Sequence, residues 1–163
     1  MRHSRGFTLI ELMVTLSILA ILLAIAAPSF QGTIQSNRTQ TITTDLTTAL
    51  QLARSEAVKR GVKVDVCRRN GEVCANAADW GNGWLVQVQG GDVLRVWEAV
   101  GVQDTVTGPN ETLTYRPNGL LTKVNDAAHT TFTVAFANCS GKTQYTVTLT
   151  ATGRVTSTKG TCP

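Results

Sequence analysis

The chain has 163 residues, with 15 Lys+Arg against 11 Asp+Glu and a formal charge of +4. That length allows one membrane anchor plus one modest globular domain, and the charge is too small to argue by itself for an anionic partner. No Walker loop, dinucleotide glycine pattern, nucleophile elbow or paired-histidine motif is present, so neither catalysis nor a cofactor is expected. His3 and His129 are isolated, His129 in an expected loop, and the acids Asp65, Asp79 and Asp126 show no spacing that would make a catalytic pair.

A short basic leader, residues 1–6, precedes an apolar run from Phe7 to Ala27 whose one charge is Glu11. At ~1.5 Å rise per residue the run makes a helix of roughly 30 Å, matching the hydrocarbon core of a bilayer. Arg2 and Arg5 lie before it and the first basic residue after it is Arg38. The positive-inside rule then leaves the leader in the cytoplasm and exports the rest. Glu11 is the anomaly, because a carboxylate in hydrocarbon persists where something pairs with it.

Pro28 is expected to loosen or kink the helix over residues 24–28 without ending it. From Ser29 to Thr44 the chain is polar and supports helix weakly. Ile42, Leu46, Ala49, Leu50, Ala53 and Ala57 then recur at three- and four-residue spacing, an apolar stripe opposite Gln51, Arg54, Ser55, Lys59 and Arg60. Glu56 is placed to pair with Arg60, and Gly61 supplies the C-cap. Residues 28–61 are thus read as an amphipathic helical half and 62–163 as a β-rich domain.

Beyond Gly61 the period changes to two. Val62, Val64 and Val66 read as a half-buried strand, and Arg68-Arg69-Asn70-Gly71 as a solvated turn. Trp84 to Gln89 and Val93 to Glu98 flank Gly90-Gly91 as a hairpin, with Trp80 and Trp84 as core anchors. Further strands are expected at Thr112 to Arg116, Leu120 to Val124, Thr131 to Asn138, Gln144 to Thr150 and Arg154 to Ser157. The fold class is α+β, a long N-terminal helix laid on antiparallel sheet with Leu46, Leu50 and Ala53 against the strands.

All four cysteines, Cys67, Cys74, Cys139 and Cys162, lie in the exported part, where an even count favours two disulfides. Of three connectivities, Cys67 with Cys74 and Cys139 with Cys162 is preferred, worth roughly 2.5 and 3.5 kcal/mol on the loop-entropy model. Zinc is the alternative, although neither spacing matches the short pairs of a tetrahedral site.

The stretch Gly6-Phe7-Thr8-Leu9-Ile10-Glu11-Leu12 resembles the class III signal of type IV pilins and type II secretion pseudopilins. The resemblance implies a type IV pilin-like fold and an inner-membrane precursor with its C-terminal domain in the periplasm. It also implies a prepilin peptidase that cuts between Gly6 and Phe7 and N-methylates Phe7. The new amine of one subunit would then meet Glu11 of its neighbour in a filament raised on an inner-membrane assembly platform. Leu52 to Gly61, LARSEAVKRG, is similar to the signature of the GspH/FimT group of minor pseudopilins and minor pilins, and that group shares a tryptophan-glycine element like Trp80-Gly81.

Some FimT-type minor pilins bind DNA through a C-terminal Gly-Arg-x-Arg stretch. Here Gly153-Arg154-Val155-Thr156 keeps the first arginine and lacks the second. After Asp126 there is no acid while Lys142, Arg154 and Lys159 remain, so these three cations are the candidate phosphate contacts.

Overall fold

A computed structural model describes residues 7–75, 77–122 and 129–163, leaving aside the side chains of 26–29, 31 and 129. The leader with Gly6, and residues 123–124 of one expected strand, lie outside the described residues. Two compact units result, Met1–Gln35 and Ser36–Pro163, and helix α1, Leu9–Arg60, contributes to both. Pro28 does not end α1; its side chain lies outside the described residues.

In the second unit the apolar stripe of α1 is the buried face. Leu46, Ala49, Leu50, Ala53 and Ala57 are completely shielded, and Ile42 packs at their margin. The threonine-rich stretch stays helical because its hydroxyls are satisfied locally. Thr41, Thr43, Thr44, Thr47 and Thr48 each donate to the carbonyl four residues earlier at 2.7–3.0 Å. Burial of Thr39 and Thr43 supplies what propensity lacks. Arg60 Nε donates to Glu56 at 2.5 Å, a hydrogen bond that holds the Glu56 carboxyl below the usual carboxylate range. Gly61, at φ 67°, ends the helix with its N–H on Ala57 O at 3.0 Å.

Among the described residues nine strands follow: β1 Val64–Asn70, β2 Val73–Cys74, β3 Trp84–Val88, β4 Val93–Trp97, β5 Asp104–Thr107, β6 Leu113–Tyr115, β7 His129–Phe136, β8 Thr143–Thr150 and β9 Val155–Thr161. They form two antiparallel sheets. One runs β2-β1-β3-β4 with β6 also on β1, the other β5-β7-β8-β9. The helix stripe, Val64, Val66, Val86 and Leu113 of the first sheet, and Phe132, Val134, Val147 and Leu149 of the second form one apolar cluster. Trp80 joins the sheets, edge-on to Phe132 at 4.9 Å with its indole N–H on Pro109 O at 2.9 Å.

Polar contacts pin α1 at two places, sixteen residues or about 24 Å apart along the helix. Arg38 meets the Asp104 carboxylate of β5 at 3.3 Å, and that carboxylate is 1% exposed. Arg54 Nη1 donates to Gly153 O, in the β8–β9 turn, at 3.3 Å. Gly153 has φ 76°, and a Cβ there would collide with Gly119 O and crowd the Tyr115 ring, so only glycine fits.

Several expectations are corrected. The first strand begins at Val64 and is buried from Val64 to Arg68 rather than half-buried; it is an inner strand of its sheet, paired with β3 along one edge and β6 along the other. Arg68 and Arg69 belong to β1, not to a solvated turn. Arg68 is buried and donates to Asn110 O, and Arg69 reaches Trp97 O at 3.3 Å and Glu98 at 2.9 Å. The chain turns instead at Gly71-Glu72. Strand β5 was not anticipated, since Asp104-Thr105-Val106-Thr107 carries one apolar residue in four. Leu120 to Leu121 gives an isolated bridge to Tyr115 rather than a strand. His129 begins β7 opposite Thr150 and is not in a loop. Cys67 is bonded to Cys74 and Cys139 to Cys162, with Cα separations of 5.5 and 5.6 Å.

Leu50→Ala is expected to destabilise the fold by about 2–5 kcal/mol through the cavity it leaves. Val102→Ala, at a fully exposed position, is expected to stay within about 0.5 kcal/mol of the parent. Denaturant melts in detergent, followed by the buried tryptophans, measure both.

A pH effect follows from Asp65, whose burial pushes its carboxyl up despite the Thr114 hydroxyl donating to it at 2.6 Å. As pH rises through the carboxylate range the unfolded chain loses this proton first, so Asp65 lowers stability from its ordinary pKa up to its raised one. Asp65→Asn is expected to gain stability relative to the parent between acid and neutral pH. A difference that does not change with pH would contradict this.

Candidate functional site

The start of α1 is built by its own sequence. Thr8 precedes the helix, and its hydroxyl oxygen accepts the Glu11 N–H at 3.3 Å while its carbonyl accepts the Leu12 N–H at 3.1 Å. Thr8-x-x-Glu11 is the spacing of a capping box, and a first-turn carboxylate complements the positive end of the helix dipole. Thr8 was missed as a cap, although the Thr-x-x-Glu pattern before an apolar run was legible. Glu11 is exposed and, among the described residues, makes no ion pair.

Every large apolar side chain described from Phe7 to Ile25 is half or more exposed, from 50% at Leu19 to 76% at Leu9. A helix apolar on all sides has no wet face and requires an apolar surround or neighbours. Its few hydroxyls suit such a surround. Thr15 donates to Leu12 O at 2.9 Å and Ser17 to Met13 O at 2.8 Å, so neither needs water. Among the described residues no helix is long and apolar enough to cross a membrane. Ala26 and Ala27, the end of the expected span, lie among the side chains outside the description.

The three C-terminal cations do not converge. Arg154 lies at one end of β9 and Lys142 beside its other end, about 26 Å away along the strand. Lys142 sits over the Phe136 ring at 4.9 Å, and Lys159 is exposed on β9 opposite Tyr145. Arg154 instead shares a groove of about 600 Å³ with Arg54 and Lys59 of α1. Sequence spacing could not show this, since Arg54 and Arg154 meet only through the turn that Gly153 makes. Among the described residues no group of His, Cys, Asp or Glu could hold a metal ion.

Comparison with known proteins places these features. The family model described as type II transport protein GspH matches residues 29–153, and the prokaryotic N-terminal methylation motif matches residues 1–27. No curated protein sequence matches. Among solved structures, the Pseudomonas aeruginosa type IV minor pilin FimU in its P21 crystal form is 23% identical with a TM-score of 0.56. The match covers 78% of this chain and 90% of that one. The P65 form gives 23% identity and a TM-score of 0.53 over 73% of this chain and 91% of that one. The FimU likeness is one of fold. With the GspH model matching most of its length, the chain belongs to the GspH family of type IV pilin-like proteins.

Proposed function

We propose that this chain is a minor pilin or pseudopilin subunit that works by assembly rather than catalysis. The observation that carries the reading is the all-round apolar N-terminal helix, capped by Thr8 and bearing Glu11, in a chain with the methylation motif of its family. The precursor sits once across the inner membrane, leader in the cytoplasm and β-rich domain in the periplasm. Prepilin peptidase cuts between Gly6 and Phe7, where glycine lets extended backbone lie close in the protease groove. Phe7 becomes the N-methylated amino terminus.

The subunit then leaves the bilayer for a filament or its initiating tip complex. Apolar side chains from Phe7 onward pack against neighbouring pilins, and Glu11 meets the Phe7 amine of an adjacent subunit. Two charges removed from water satisfy each other, so the pair selects register. Lys142, Arg154 and Lys159 form no continuous track for a phosphate backbone, and DNA uptake has no specific support in this geometry.

Gly6→Leu is expected to leave an uncut precursor in the membrane, six residues longer than the mature form by mass spectrometry. Normal processing of that variant would defeat the cleavage assignment. Glu11→Gln keeps the backbone N–H that Thr8 accepts and removes only the charge. It is expected to be cut and membrane-inserted normally, yet to enter filaments at least about tenfold less, since an unpaired buried charge costs about 3–5 kcal/mol. Unchanged incorporation, scored by filament shearing and immunoblot, would remove the proposed role.

A further inference from the structure

Strand β9 is unlike the other strands at the sheet margins. β2 has two residues, β5 four, and β4 five against a register break at Val86/Gln87, whereas β9 runs seven residues unbroken along β8. Short length, bulges, prolines and charges are the usual guards of an exposed edge. β9 carries a single charge, Lys159, and none of the other guards.

Its spare groups can be named. Thr150 N–H donates to Arg154 O at 3.0 Å and Cys162 N–H to Lys142 O at 2.9 Å, so the even-numbered residues of β9 pair with β8. Val155, Ser157, Lys159 and Thr161 therefore turn their N–H and C=O away from the sheet, and no group among the described residues takes them. A second, independent feature lies where the strand begins. The groove of about 600 Å³ is walled by Arg54, Val58 and Lys59 of α1 and by Gly153, Arg154 and Val155. Gln51 and Ser55 complete its lining, which carries the cations Arg54, Lys59 and Arg154 and no acid or aromatic ring; of the three, Lys59 lies 4.0 Å from the Glu56 carboxylate.

We propose that the outer edge of β9 and this groove are one docking surface, which takes an extended acidic segment of a neighbouring subunit as an added strand. The proposal rests on the assembly reading above, which supplies the neighbour. Main-chain pairing along Val155–Thr161 holds any extended segment, and a carboxylate entering between Arg54 and Arg154 selects an acidic one. A second copy of this chain fits poorly, because β9 against β9 sets Arg154 and Lys159 facing a strand without a carboxylate. A nucleic acid fits poorly too, since the groove offers no stacking surface for bases.

The test uses the full-length chain in detergent micelles and a short synthetic peptide alternating glutamate with valine and threonine. Its lysine counterpart and a short DNA duplex are the comparison probes. Amide hydrogen exchange at Val155, Ser157, Lys159 and Thr161 is expected to slow at least tenfold with the acidic peptide and to be unchanged with either comparison probe. Ser157→Pro removes an outward N–H and no β8 hydrogen bond, so it is expected to fold and to abolish the protection. Arg154→Glu, at an exposed side chain, is expected to weaken the acidic peptide at least tenfold. No slowing at the odd-numbered residues, equal binding of the lysine peptide, or protection of β9 by DNA would each overturn the proposal. Failure here alongside normal processing and filament entry would leave the assembly reading standing. Failure of the Gly6 and Glu11 experiments would not disturb this binding measurement.

Discussion

The completely buried stripe of α1 is the constraint on which the domain Ser36–Pro163 depends. Leu46 and Leu50 fill volume, while Ala49, Ala53 and Ala57 keep the helix surface low enough for strand side chains to close over it. Because that stripe shares one apolar cluster with both sheets, neither sheet has a core of its own. Trp80 strengthens the arrangement by resting on Phe132 of the second sheet while its N–H is held by Pro109 O.

Two polar contacts then fix what apolar burial leaves free. Hydrophobic packing is non-directional and tolerates sliding, whereas an ion pair and a hydrogen bond do not. Arg38 is the ion-pair partner of a carboxylate that is almost wholly buried, and a buried charge left without its partner is costly. Arg54 reaches the carbonyl of Gly153, a residue whose place admits no side chain. One consequence is chemical as well as structural. The contact that pins the helix also carries Arg154 into the groove beside Arg54 and Lys59, concentrating positive charge at the start of the one long, unguarded edge strand among the described residues.

A single helix serves two surroundings. From Leu9 to Ile25 its large side chains are apolar on every side and the Thr15 and Ser17 hydroxyls are turned back on its own carbonyls, whereas from Ile42 to Arg60 one face is apolar and the other polar or charged. Glu11 sits at the end where such a helix can best tolerate an acid, next to the unsatisfied N–H groups of its first turn. Capping by Thr8 and the proposed pairing with a neighbour's amine use different parts of the same residue, its backbone N–H and its carboxylate.

Local chemistry was enough to read the signal Gly6 to Leu12, the stripe from Ile42 to Ala57, the Gly61 cap, the Gly90-Gly91 hairpin and the α+β class, because each depends on spacing along the chain. What failed were the features set by distant neighbours. Val64 to Arg68 alternates like a half-wet strand, yet all five residues are buried in an inner strand between β3 and β6, and the buried polar groups of Asp65 and Arg68 find Thr114 and Asn110 from far along the chain. Strand β5 has too little apolar character to form alone and exists because β7 pairs with it. The sequence by itself thus determined the signal, the helix and the membership of a pilin-like family, all properties of contiguous residues. Only the tertiary structure decided that the sheet is two, that Arg154 belongs with Arg54 rather than with Lys142, and that β9 keeps a free edge, since each depends on which strand the folded chain lays beside another.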